Sequence, residues 1–198
     1  MHQPINPQMF YYGFPVILLT TCDNQGNTNI TPISSSWCLG DNIVIGLGTQ
    51  GKAFENLQQC AQAVINLPDE QLWQNVEAIA DVTAKQPIPD FQQGIYHYCA
   101  DKFQRGHFTA QPSTQIKPSR ILECPLQAET TVMHISEREG YAIVELKIVQ
   151  VHAEQSLIFA DNKIDPEKWK PLIYNFRHYQ GLTEMLGKNF RCETGKKV

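Results

Sequence analysis

Short extended runs dominate the hydrophobic pattern of the chain. Residues 15–21 (PVILLTT), 43–47 (IVIGL) and 63–67 (AVINL) are apolar and rich in β-branched types, which predicts strands. The first runs into Asp23-Asn24-Gln25-Gly26-Asn27, a cluster of turn formers, so residues 28–31 are expected to return beside it as a hairpin. Residues 130–135 and 141–152 flank Glu137-Arg138-Glu139-Gly140 and predict a second hairpin, and residues 156–160 add a short strand. Two stretches change period. Between 52 and 60 the spacing of Phe54, Leu57 and Ala61 is helical. Over 69–82, Leu72, Trp73, Val76, Ile79 and Ala80 share one helical face, with Asp69 and Glu70 at the end where the helix dipole favours acids. Residues 85–120, with prolines at 87, 89, 112 and 118, show little periodicity and read as a long connection that covers something or carries function. After Asp165-Pro166, a segment holding Trp169, Tyr174, Phe176 and Tyr179 closes the chain. The expectation is a mainly β fold in one domain over residues 1–198: a Greek-key antiparallel β-barrel with peripheral helices.

Composition narrows the function classes more than the fold. The 198 residues carry 16 Lys+Arg against 20 Asp+Glu, a formal net charge of −4. A pI near 5.8 argues against a nucleic-acid partner, which would call for a basic excess. No apolar stretch approaches the roughly 18–20 residues of a membrane span, so no membrane association is expected. The N-terminus has neither a basic start nor an apolar run, so no secretory signal is read there. Six cysteines, at 22, 38, 60, 99, 124 and 192, form no CxxC and no zinc spacing, and are expected to be reduced in a cytoplasmic protein.

The candidate chemistry is sparse. Gly46-Leu47-Gly48-Thr49-Gln50-Gly51 is a GxGxxG between a strand and a helix, with Asp69 about 20 residues on, as in a dinucleotide site. Hairpins on both sides and a helix of barely nine residues count against a Rossmann-type NAD-binding protein, which stays as a minor alternative. A glycine turn with Lys52 at a helix start also suits a single phosphate. Asn29, Thr31, Ser34, Ser35, Ser36 and Trp37 form a row of hydroxyls and amides beside one aromatic, readable as a shelf for a planar heterocycle or as a surface turn. His134 and His152 read as half-exposed strand residues, while His97 and His107 lie in the long connection. There is no HExxH and no GxSxG, hence no metal site and no catalytic nucleophile to name. Such a chain leaves the reactive chemistry to a cofactor.

The order of several short motifs is more specific than any one of them. Tyr12-Gly13-x-Pro15-Val16 is followed by Leu19-x-Thr21, Gly26-x-x-Asn29-x-x-Pro32-x-Ser34-Ser35, and then Leu39-Gly40. Gly46-Leu47-Gly48, Lys52-x-x-Glu55-Asn56-Leu57 and Val64-x-Asn66-Leu67-Pro68 come next. Asp101-Lys102-Phe103, Glu123-Cys124-Pro125 and Asp165-Pro166-x-x-Trp169-x-Pro171-Leu172 follow later. Over roughly residues 11–182 this resembles the flavin reductase-like family, the FMN-binding split barrels.

The resemblance implies a homodimer of split barrels holding FMN, less often FAD, at the subunit interface, with hydride passing from NADH or NADPH to flavin. By position, Asn29, Thr31, Ser34, Ser35, Ser36 and Trp37 would line the ring and ribityl chain. Thr49 and Lys52 would lie nearest the phosphate, supported by Asn56. Arg177 and Tyr179 would border the substrate side. Similar proteins usually carry Thr where this chain has Ala53, which removes a hydrogen bond worth on the order of 0.5–1.5 kcal/mol. The leading expectation is an FMN-dependent oxidoreductase that hands electrons to free flavin, a monooxygenase partner or another acceptor. A non-catalytic flavin carrier on the same fold is the alternative.

Overall fold

The computed structural model describes residues 1–192, and a seven-stranded antiparallel sheet lies at its centre. Across the sheet the strands run Thr28–Ile33, Ile17–Cys22, Gln62–Leu67, Leu126–Glu137, Tyr141–Ala153, Asn42–Gly48 and Ser36–Leu39. Laid flat, seven strands would hold the outer two about 29 Å apart. Those outer strands are consecutive in the chain and joined only by Ser34 and Ser35, a link that reaches no more than about 10 Å. The sheet must therefore curl until its edges meet, which gives the expected antiparallel barrel with a seam. Ser35 fastens that seam. Gly46 N donates to Ser35 O at 2.9 Å, and Ser35 Oγ donates to Gly46 O at 2.8 Å.

Strand Ile17–Cys22 is buried at every position. Ile17 and Leu19 face the barrel interior with Ile45, Ile65 and Leu146, which the helix Lys52–Gln59 closes with Ala53, Phe54 and Leu57. Val16 and Leu18 face outward into a second cluster with Ile30, Ile79, Phe108 and Ile121. Burial on both faces is why residues 15–21 form an unbroken apolar run instead of an alternating one.

Both predicted hairpins form. Asp23 Oδ1 accepts from Gln25 N and Asn27 N, both at 2.9 Å, and Gly26 takes φ +86°, which fixes the first turn. The second hairpin is longer than its apolar pattern, Leu126–Glu137 with Tyr141–Ala153, and register shifts at Glu129/Thr130 and Val132/His134 break its alternation. A smaller sheet pairs Tyr12–Pro15 with Ile173–Asn175 and His178–Gln180. No helix among the described residues is long and apolar enough to cross a membrane. Among the described residues no disulfide is formed, and Cys22 Sγ lies 3.5 Å from Cys60 Sγ.

Three expectations need correction. Residues 69–82 are not one helix: a 3-10 turn, Glu70–Leu72, leads into a five-residue helix, Trp73–Glu77. The ends are held elsewhere, Glu70 N by Lys170 O at 2.8 Å and Val82–Thr83 by pairing with His97–Tyr98, so tertiary pairing overrides the helical period. Residues 156–160 form a 3-10 turn, Gln155–Leu157, and a single bridge from Ile158 to Ile164, because Asp165 N folds back onto Leu157 O at 2.8 Å. The dinucleotide alternative also falls. The helix after Gly51 leads into Gln62–Leu67, which pairs antiparallel with both of its neighbours, so there is no βαβ unit.

The connection over residues 85–120 is laid in short pieces across the outer cluster, and buried polar groups tie its end down. Glu129 is fully buried; it accepts from Thr114 N at 2.8 Å, Gln115 N at 2.7 Å and Thr114 Oγ1 at 3.1 Å, and it meets His152 Nε2 at 2.7 Å. Asn66, also fully buried, accepts from Ile121 N at 2.9 Å and donates to Leu18 O at 2.9 Å.

Candidate functional site

Where the seam, the helix start and the connection converge, the chain leaves a cavity of about 810 Å³. That is within the usual range for a small-molecule site. One wall is the seam: Thr31, Pro32, Ser34, Ser35 and Gly46. Gly51, Lys52 and Ala53, the start of the helix Lys52–Gln59, form one end. The facing wall comes from Val76, Ile79 and Val82 and from Gln92, Ile95, Tyr96 and Lys102 of the long connection. Tyr11, Tyr174, Arg177 and Tyr179 close the remaining side.

The helix end is built to receive an anion. Its N-cap is Gly51, which supplies no side-chain cap, so the first backbone N–H groups are left to whatever sits in the cavity. Lys52 Nζ is 2.6 Å from Glu55 Oε1, and the other oxygen of Glu55 holds Lys85. Two lysines on one carboxylate leave one positive charge beside the helix start. Lys85 comes from the long connection and was not singled out in the sequence, since only the fold brings it to Glu55.

The seam wall offers polar contacts with fixed direction. Thr31 Oγ1 accepts from Asn29 Nδ2 at 3.0 Å, which leaves the Thr31 hydroxyl hydrogen free to donate elsewhere, with the cavity on that side. Ser35 Oγ is committed to Gly46 O and can only accept from a ligand. Gly46 is tight for a side chain: an added Cβ would lie 3.3 Å from Ser35 Cβ and Oγ, so Ser35 would have to give by a few tenths of an ångström. Two buried carbonyl oxygens near this region, Asn29 Oδ1 and Asn56 Oδ1, have no hydrogen-bond partner.

The sequence candidates divide. Thr31, Ser34, Ser35, Lys52, Arg177 and Tyr179 are brought together on the cavity. Asn29 stands one layer behind Thr31, and Asn56 is fully buried with its Nδ2 on Thr21 Oγ1 at 3.2 Å, anchoring the helix to strand Ile17–Cys22. Ser36, Trp37 and Thr49 lie outside the lining; Trp37 is 59% exposed on the edge strand, and Thr49 N is held by Gly140 O. Tyr179 donates to Glu77 Oε2 at 3.0 Å; burial first, and that carboxylate second, push its phenol well above the ordinary range. It packs and positions, and it is not an acid or base near neutrality. Arg177 sits at the mouth on a tight turn in which Phe176 and Arg177 both take positive φ, 44° and 65°.

Lys102 is the cavity residue that sequence reading passed over as a mere landmark. It is 5% exposed, its Nζ donates to Ile30 O at 2.9 Å, and burial pulls its pKa down to about 8. A lysine preceding Phe103 in a short connecting helix carries no local signal of this placement.

Known proteins match this chain over most of its length. The family described as "Flavin reductase like domain" matches residues 9–183. The uncharacterized protein YdfE of Bacillus subtilis (strain 168) is 46% identical over 194 residues, covering 96% of this chain and 94% of its own. Among solved structures, flavoredoxin of Desulfovibrio vulgaris (Miyazaki F) superposes with a TM-score of 0.81 at 18% identity, covering 96% of this chain and 98% of its own. Nitrilotriacetate monooxygenase component B from Bacillus cereus gives 0.71 at 16% identity, covering 95% and 99%. At such identities the structures speak to the fold alone.

Proposed function

Because the chain belongs to the flavin reductase like family, we propose that its cavity binds FMN and that the protein is an NAD(P)H-dependent flavin reductase. One observation supports this most strongly: an uncapped helix start with a net cation shares a single cavity with the hydroxyl-bearing seam. The helix N–H groups and Lys52 suit a phosphate, with Asn56 holding the helix in place. Thr31, Ser34 and Ser35, backed by Asn29, suit the polar edge and ribityl hydroxyls of a flavin, while Val76, Ile79 and Val82 suit its apolar ring face. FMN is favoured over FAD because the helix start, with one net positive charge, suits a single phosphate.

Bound flavin supplies the hydride acceptor. The chain's own groups bind, orient and exclude water: the connection covers one side, and the aromatic hairpin at 173–180 borders the opening. Arg177, at the mouth, suits the phosphates of an incoming NADH or NADPH. Proximity supplies most of the rate, and no side chain is required as acid or base. Exposed Trp37 beside half-buried Ser36 on the seam edge, with Leu39 and Tyr141 also exposed, suits a homodimer that would bring them to the flavin from the second copy. The likeness to a monooxygenase component is grounds for proposing such a partner as electron acceptor.

The test is direct. Purified protein should bind FMN, and NADH or NADPH should bleach it in stopped flow. Binding without bleaching by either donor would leave the carrier reading in its place, and failure to bind flavin would end both. Lys52→Ala should weaken FMN about tenfold, since a charged hydrogen bond partly offset by Glu55 is lost, and leave riboflavin affinity unchanged. Equal loss for both ligands would refute the phosphate assignment. Ala53→Thr restores the hydroxyl at the cavity end and should tighten FMN by about 0.5–1.5 kcal/mol in a calorimetric titration.

A further inference from the structure

Two sulfurs far apart in the chain meet where the helix Lys52–Gln59 crosses strand Ile17–Cys22. Cys22 ends the strand and is fully buried, while Cys60 is the C-cap of the helix and half-buried. The Cys22 thiol donates to Cys60 Sγ across 3.5 Å. A disulfide needs about 2.05 Å between sulfurs, so about 1.5 Å of closing remains for two side chains to share. The backbones on either side are already fastened. Thr21, next to Cys22, accepts on Oγ1 from Asn56 Nδ2 at 3.2 Å, and Asn56 O holds Cys60 N at 2.7 Å. The pair is also asymmetric. Burial first, then the hydrogen bond to Cys60, push the Cys22 thiol up to about 12, against the opposing pull of the Lys117 charge. Cys22 therefore keeps its proton. Cys60 receives that S–H and directs its own sulfur to Gln62 Oε1, 3.8 Å away, on the side that solvent reaches.

We propose that Cys22 and Cys60 are a reversible disulfide site for hydrogen peroxide, with Cys60 as the attacking and Cys22 as the resolving thiol, which locks the helix to strand Ile17–Cys22. The proposal stands apart from the flavin reading, since it uses neither the cavity nor a cofactor. In the first step the Cys60 thiolate attacks one peroxide oxygen. An S–O bond forms, the O–O bond breaks, and the departing hydroxide takes up the Cys60 proton as water. In the second step the Cys22 sulfur attacks the Cys60 sulfenic acid. The S–S bond forms, the S–O bond breaks, and the Cys22 proton leaves with the hydroxide as a second water. Both sulfurs are oxidised and one peroxide is reduced. The contact between the sulfurs before reaction favours this second step over further oxidation of Cys60.

The experiment treats the full-length protein with hydrogen peroxide, blocks the remaining thiols and maps the cysteines by peptide mass spectrometry. An intramolecular cross-link between the peptides holding Cys22 and Cys60 is expected, and dithiothreitol should reverse it. The oxidised protein should melt about 4–16 °C above the reduced one, because the bond closes the long loop from 22 to 60. Cys60→Ser treated alike should show no such rise and should leave Cys22 a thiol. Cys22→Ser should stop the reaction at a sulfenic acid on Cys60, which dimedone captures. Peroxide that oxidises exposed Cys38 but leaves the pair as thiols would overturn the proposal. So would sulfinic acid on Cys60 without a cross-link, or a cross-linked protein that melts no higher than the reduced one. Should Cys22→Ser fail to fold, Cys22→Ala leaves Cys60 equally without its partner sulfur.

Discussion

Replacing Glu129 by Gln should destabilise the protein by about 3–5 kcal/mol and lower its melting temperature by roughly 6–20 °C. The carboxylate is fully buried, yet four donors converge on it: two backbone N–H groups, the Thr114 hydroxyl and His152. Arg120 Nε lies 3.7 Å away and adds its charge. An amide of the same shape keeps one acceptor oxygen but turns an NH₂ toward donors, so at least one buried N–H loses its partner. Burial alone would raise the pKa of this group. The hydrogen bonds from Thr114, Gln115 and His152 outweigh it and hold the carboxyl below the ordinary range. A lowered folded-state pKa means this stabilisation is complete above the unfolded carboxylate value and is lost as pH falls through the folded value. Thermal melts of wild type should therefore drop in acid below about pH 4, and Glu129→Gln should flatten that slope. A variant melting within 2 °C of wild type at neutral pH would show the cluster to be dispensable.

The second large effect concerns the ligand rather than the fold. Gly46→Val should weaken FMN binding by roughly 5- to 150-fold. An added Cβ already meets Ser35 at 3.3 Å, and the two methyls of Val have nowhere to go but into the seam or the cavity. Overpacking of this kind costs about 1–3 kcal/mol, which converts to that range of affinity. The strand itself should persist, because its pairing of Gly46 with Ile143 uses backbone groups that any residue provides. Retained affinity in a fluorescence titration would mean that flavin sits elsewhere than at the seam. Loss of secondary structure by circular dichroism would instead mean that the seam is needed for folding.

What the sequence disclosed follows from the range of its interactions. Strands 17–22, 42–48 and 62–67 were legible because each repeats one local instruction, an apolar β-branched run closed by turn formers. The helix Lys52–Gln59 was legible for the same reason, as was the turn at Asp23. Residues 69–82 misled because their helical spacing is real but serves burial of Val76 and Ile79 at two ends of a broken segment, with the backbone committed to Lys170 and to His97–Tyr98. At the site, Thr31, Ser34, Ser35 and Lys52 could be read because they lie close together in the chain and next to the glycine turn. Lys85, Lys102 and the wall from Gln92 to Tyr96 could not: Lys85 meets Glu55 and Lys102 meets Ile30 only across long stretches of chain, and the wall faces the cavity only once the connection has folded over it. Trp37 shows the limit of proximity: it follows Ser36 in sequence, yet it stands outside the cavity lining on the exposed edge strand Ser36–Leu39.

The place of strand Gln62–Leu67 sets the order in which the molecule can assemble. It pairs with Ile17–Cys22 on one side and with Leu126–Glu137 on the other, Leu67 standing opposite Leu126. The barrel cannot close until residues 68–125 have been looped out, and that closure entropy is spent before any contact in the connection repays it. Since those same residues form the facing wall of the cavity, the binding site is complete only once that loop has closed. A cofactor that needs both walls then stabilises the closed protein by mass action, on top of the contacts that closed it.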